Sequence, residues 1–199
     1  MKNILLIVMM GVGFISYSQS NRKRPFDIQM VIEHAKWQTT QHVTYDGSYR
    51  VISYPNGDVP DNIGVCTDVI IRAFRIQGID LQELVHESVK KYHKYYYPNP
   101  KKGYGLKPDS NIDHRRVRIL RKFFNLHYPK SKLHYTDSYL PGDIIFWDDW
   151  HVGILIDEKI EGTDRYYCVH NMGLGPVKED VYYKIAGDDY GLMHYRVKF

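Results

Sequence analysis

Gly64-Val65-Cys66-Thr67-Asp68-Val69-Ile70-Ile71-Arg72-Ala73-Phe74 carries a glycine-containing loop into an apolar run, with Gly78 shortly after it. The spacing of Val69, Ile70, Ala73 and Phe74 predicts a buried stripe on a helix from Cys66 to Gln77, which Gly78 ends. Cys66 therefore opens a helix. There the positive end of the macrodipole and the unbonded backbone N–H groups favour the thiolate, the nucleophilic form of cysteine.

A nucleophilic thiol needs a base within hydrogen-bond reach and a third polar group to orient that base. Ten histidines are available. His151 opens a strand-like run, His151-Val152-Gly153-Ile154-Leu155-Ile156-Asp157, directly after a turn at Asp148 to Trp150. Alternation puts His151 and Gly153 on one face and Val152, Ile154 and Ile156 on the other. Gly153 is expected to let a helix approach that face. In Tyr167-Cys168-Val169-His170, Cys168 and His170 share a face, so His170 is the expected orienting residue, with Asn171 the alternative if the register differs by one.

Working outward, Ile28, Val31, Ile32 and Ala35 are spaced for a helix with Asp27 at its start, and Asp80 to about Tyr92 and Asp113 to His127 read as further helices. Pro55 to Gly64 and Tyr95 to Ile112 read as loops. Strand-like runs follow at Asp143–Trp147, His151–Asp157, Arg165–Asn171, Val181–Ile185 and Leu192–Phe199. Helices first and about five strands last predict an α+β domain with an antiparallel sheet. Lys2, the apolar run Ile4–Ile15 and Ser16 to Ser18 read as a signal peptide over residues 1–18, since a membrane span needs about 20 apolar residues. A basic tether over 19–25 and one domain over 26–199 complete the organisation. Export to the periplasm or beyond is expected, with no transmembrane anchor after cleavage.

The formal charge is +4 over 199 residues, with the basic residues scattered, so nucleic-acid binding is not indicated. The two cysteines, Cys66 and Cys168, leave two competing readings open. One is a non-catalytic exported binding module with a Cys66–Cys168 disulfide. The other is a zinc site at Cys66, His151, Cys168 and His170, although no pair has the usual structural-zinc spacing. The favoured reading needs no metal and no cofactor.

The order Tyr54, Gly57, Cys66 at a helix start, Leu140-Pro141-Gly142-Asp143-Ile144-Ile145-Phe146-Trp147, His151-Val152-Gly153-Ile154 and His170 resembles the papain-like, NlpC-type peptidoglycan cysteine peptidases. That resemblance implies a papain-like fold, with Tyr54 and Asp58 flanking the nucleophile and the Cys66 N–H in an oxyanion hole. Val65-Cys66-Thr67-Asp68 departs from the broader family's Asp-Cys-Ser-Gly, and Asp58 stands where a second glycine is usual. A closer resemblance, through Gly64 to Ala73, Gly78 to Gln82, Leu84 to Glu87, Asn111 to Val117 and Val169 to Gly173, is to a bacterial family described as domain of unknown function 1287.

In the cluster Asp113-His114-Arg115-Arg116, arginine at a helix start is otherwise disfavoured by the dipole. One reading has an arginine gripping a substrate carboxylate, and the other an Asp–Arg pair tying this helix to the sheet. The expected activity is hydrolysis of an amide by acyl-enzyme chemistry with Cys66, His151 and His170 (or Asn171). Peptidoglycan stem peptides or another envelope amide are the expected partner of a monomeric enzyme.

Overall fold

The structure, a computed structural model, describes residues 25–101, 105, 107–133, 138–181 and 192–198. The expected signal segment and nearly all of the tether lie outside these residues. Among the described residues no helix is long and apolar enough to cross a membrane.

The architecture is α+β. Helix α1 (Ile28–Gln38) starts at Asp27, whose side chain accepts the Gln29 N–H at 2.9 Å, and it buries Val31, Ile32 and Ala35. Strands β1 (Thr44–Tyr45) and β2 (Ile63–Gly64) pair in parallel, setting Tyr45 beside Gly64. Helix α2 (Cys66–Arg75) follows directly, and α3 (Leu81–Lys91) is capped by Asp80. The short helix α4 (His93–Tyr96) lies at the start of the expected long loop.

The expected helix over 113–127 is broken. A 3-10 turn, Asp113–Arg115, comes first, Arg116 is extended, and helix α5 covers Val117–His127. The cause is lateral: the Arg115 carbonyl accepts Thr67 Oγ1 at 2.9 Å and its guanidinium reaches Asp68, so the chain turns toward α2 before helix resumes.

Among the described residues the antiparallel sheet has six strands rather than about five: β3 (Lys132–Leu133), β4 (Ile144–Trp147), β5 (His151–Lys159), β6 (Tyr166–Asn171), β7 (Pro176–Glu179) and β8 (Leu192–Tyr195), in the order β3-β8-β4-β5-β6-β7. Strand β7 had no counterpart in the sequence reading, and the run 182–185 lies outside the described residues. Ile144, Phe146, Val152, Ile154, Ile156 and Val169 pack with the helices. Ile145, Trp147, Leu155 and Cys168 form a separate cluster on the opposite face.

Helix α2 is the hinge of this arrangement. It packs on α1, β5 and β6, and eight of its ten residues are buried, including Thr67 and Asp68. Buried polar side chains are costly without partners, and both have them in Arg115. At the start of β4, Gly142 has φ 87°, and a Cβ there would stand 2.3 Å from Ile28 Cγ1, so only glycine fits. Asp143 beside it is fully buried and accepts from the Leu140 N–H, His194 and Arg196. Burial opposes its charge, but these donors win and hold its carboxyl below the usual range. The Pro-Gly-Asp motif thus clamps β4 to β8.

Candidate active site

Cys66 is the first residue of α2 and is buried. Val65 before it is extended, its N–H donates to Asp68 Oδ2 at 2.7 Å, and the Gly64 carbonyl accepts Asn171 Nδ2 at 3.2 Å. The turn into the helix is therefore held from both the helix and strand β6. The backbone N–H groups of Val152, Thr67 and Cys66 act to lower the Cys66 thiol's pKa.

The helix start alone predicted a thiolate. Burial outweighs it, and the Asp68 charge adds to the effect, so the Cys66 thiol is pushed up to about 11 despite those three N–H groups. A bare thiolate is not the resting form that this surrounding favours.

His151 opens β5, one residue before Val152, whose backbone amide favours the Cys66 thiolate. Its Nε2 lies 2.9 Å from His170 Nδ1, with the two rings edge to face. Trp147 and Trp150 cover the His151 ring, the second nearly stacked at 5.4 Å between centroids. The alternatives for the orienting residue are thereby separated: His170 meets His151, while Asn171 is spent on the Gly64 carbonyl and the Gly173 N–H.

Strand β7 adds a carboxylate that the sequence did not reveal. Glu179 Oε2 is 3.3 Å from His170 Nε2. A carboxylate there favours the proton on Nε2 of His170, which leaves its Nδ1 to accept from His151 Nε2–H. The lone pair of His151 is then on Nδ1.

A cavity of about 380 Å³ opens at Cys66, walled by Tyr45, Tyr49, Arg115, Arg116 and Trp150 among others. Two expected flanking residues are elsewhere. The Tyr54 hydroxyl donates to Glu87 at 2.9 Å and its ring packs edge-on against His86, while Asp58 pairs with Arg72 and Arg75. Those contacts draw the Pro55–Gly64 loop along the later turns of α2 and α3, away from its start. Tyr45, brought in by its pairing with β2, and Tyr49 take the flanking places, and burial followed by the Cys66 charge pushes the Tyr45 hydroxyl up.

The second cluster divides in the same way. Arg115 and Arg116 line the cavity; Asp113 and His114 do not. Arg115 makes a two-pronged pair with Asp68, with Nε–Oδ1 and Nη2–Oδ2 both at 2.9 Å. The Asp–Arg tie therefore runs to α2 rather than to the sheet. Asp113 is buried and occupied by Tyr97, Arg116 and the Asp109 N–H. Burial, aided by Arg115 and Arg75, pushes His114 down to about 3, so it packs as a neutral ring.

Gly153 serves a purpose other than helix approach. A Cβ there would stand 2.5 Å from Cys168 Sγ and 3.2 Å from His170 Cβ. The missing side chain makes room for the face that carries His170.

Both cysteines are free. Cys66 belongs to the helix-side core and Cys168 to the cluster across the sheet, so the expected Cys66–Cys168 disulfide alternative has the sheet between its partners. No three His, Cys, Asp or Glu side chains among the described residues are grouped to hold a metal, so the four-ligand zinc alternative has no such cluster there.

Residues 32–197 match the family described as Domain of unknown function (DUF1287). The chain is also similar to the uncharacterized protein YijF of Escherichia coli (strain K12), with 38% identity over 197 residues, 91% of this chain and 93% of that protein. No solved structure matches it. With the family match spanning most of the chain and a relative aligned along nearly its whole length, the protein belongs to the DUF1287 family.

Proposed function

We propose that this protein is an exported, monomeric cysteine hydrolase of the papain-like, NlpC-type class that cleaves an amide in peptidoglycan stem peptides. The observation that carries the reading is the helix-start position of Cys66, whose thiol feels the backbone amide of the residue next to His151, with His151 held by His170 at 2.9 Å. A cysteine-bearing helix against successive antiparallel strands bearing the histidines is the layout that the papain-like class would require.

In this mechanism the Cys66 sulfur attacks the amide carbon as its proton passes to His151 Nδ1. The C=O π pair moves to oxygen, and the Cys66 backbone N–H receives the oxyanion, a donor type worth about 3 kcal/mol in acyl transfer. Collapse breaks the C–N bond, and His151 returns the proton to the leaving amine. Water then attacks the thioester with its proton going to His151, which releases the acid and regenerates the thiol. His170, backed by Glu179, holds the His151 ring and stabilises its charged form.

Wild type and Cys66→Ala, incubated with purified muropeptides and read by mass spectrometry, test this. New cleavage products from wild type only are expected. Equal products from Cys66→Ala would refute the nucleophile, and no products from either would remove the stem peptide as substrate.

A further inference from the structure

The cavity at Cys66 has an uneven charge distribution. Among the described residues its charged wall residues are Arg115 and Arg116, and no carboxylate lines it. Arg115 has a side chain 2% exposed and gives Nε and Nη2 to Asp68, yet its third nitrogen, Nη1, is buried without an acceptor among the described residues. Unmet buried donors are costly, and an acceptor supplied by a ligand removes that cost. Arg116 is more open, with its side chain 28% exposed and Nη1 bonded to Tyr97 Oη and Asp113.

We propose that this cavity is an anion-selecting subsite, which takes a carboxylate-bearing group of the substrate next to the bond attacked by Cys66, with Arg116 as the specificity-determining residue. The proposal rests on Cys66 as the nucleophile of the reading above. A guanidinium pair suits a carboxylate because its planar N–H groups match the two oxygens. About 380 Å³ admits a group the size of one amino-acid residue, and the exposed rings of Tyr45, Tyr49 and Trp150 at the rim offer apolar faces to the rest of the ligand.

The test uses two alkylating probes of nearly equal shape, iodoacetate and iodoacetamide, with Cys66 modification followed by peptide mapping. Each forms an S–C bond, expels iodide and releases the thiol proton, so they differ in charge alone. Relative to the same pair on the guanidinium-unfolded chain, the native protein is expected to favour iodoacetate by about tenfold or more, with saturation and with loss of the preference in high salt. Arg116→Gln abolishes the preference and Arg116→Lys restores part of it. A native ratio equal to the unfolded one overturns the proposal, as does a preference that survives in folded Arg116→Gln. If the native thiol resists both probes, calorimetric binding of succinate decides: binding lost in Arg116→Gln supports the subsite, and no binding to wild type overturns it. Neither readout needs turnover, so absence of hydrolysis would count against the reaction and leave the subsite to be judged separately.

Discussion

Cys66 and Cys168 are the same residue buried to nearly the same degree, and their surroundings differ in almost everything else. Cys66 starts a helix, has three backbone N–H groups that favour its thiolate and opens on a cavity. Cys168 stands mid-strand among Ile145, Trp147 and Leu155, and its thiol reaches the Val169 carbonyl at 3.7 Å. Its sulfur fills the space that Gly153 leaves. The proposed mechanism needs donors, a base and open space, and the contrast favours the first cysteine for that role and packing for the second.

The largest expected difference is in turnover. Cys66→Ala should lower the rate of muropeptide cleavage by about 10⁴-fold or more, whereas Cys168→Ala should leave it within a few-fold. Comparable loss in both variants would erase the distinction. Next comes stability: Asp68→Ala strands the buried Arg115 guanidinium and should cost about 3–5 kcal/mol in denaturant unfolding, because one partner of a buried pair is removed.

The pH response sharpens the comparison further. With the Cys66 thiol pushed up to about 11, its thiolate fraction in His151→Ala should climb about tenfold per pH unit from pH 7 to 9, and alkylation should follow it. Cys168, closed in by its neighbours, should stay unlabelled until the chain unfolds. A plateau in Cys66 labelling at neutral pH would mean a thiolate stable without His151. On the other side of the sheet, Gly153→Ala forces a methyl into Cys168 Sγ and should cost about 1–3 kcal/mol, part of which Cys168→Ala should recover. Smallest is Glu179→Gln. It should slow turnover less than about tenfold, against about 10²-fold for His170→Ala, since Glu179 acts at one remove from the base.

Much of this site was legible in the sequence because its signals are local. The apolar spacing after Cys66 marks a helix, and period-two alternation at His151 and at Cys168 and His170 assigns faces without knowledge of the sheet. What escaped depends on pairing between distant segments. Tyr45 reaches the cavity through a two-residue parallel match of β1 with β2, which has no pattern of its own. Glu179 reaches His170 through the β6–β7 register, and β7 opens on Pro176, a residue that argues against a strand except at the start of an edge. Tyr54 was misplaced because the ion pairs of Asp58 with Arg72 and Arg75, which steer its loop, cannot be paired by spacing alone. The direction of the Cys66 shift was misread for a related reason: the helix end is written in the local sequence, but the depth of burial is set by the sheet beneath it.

The most direct measurement of the central claim is acid-quenched mass spectrometry of the protein during muropeptide turnover, with peptide mapping of any adduct. The expected result is a substrate-derived acyl group on Cys66, increased by His151→Ala relative to the hydrolysed product and absent from Cys66→Ala. An acyl group on Cys168, or undiminished turnover in Cys66→Ala, would contradict the assignment of the nucleophile.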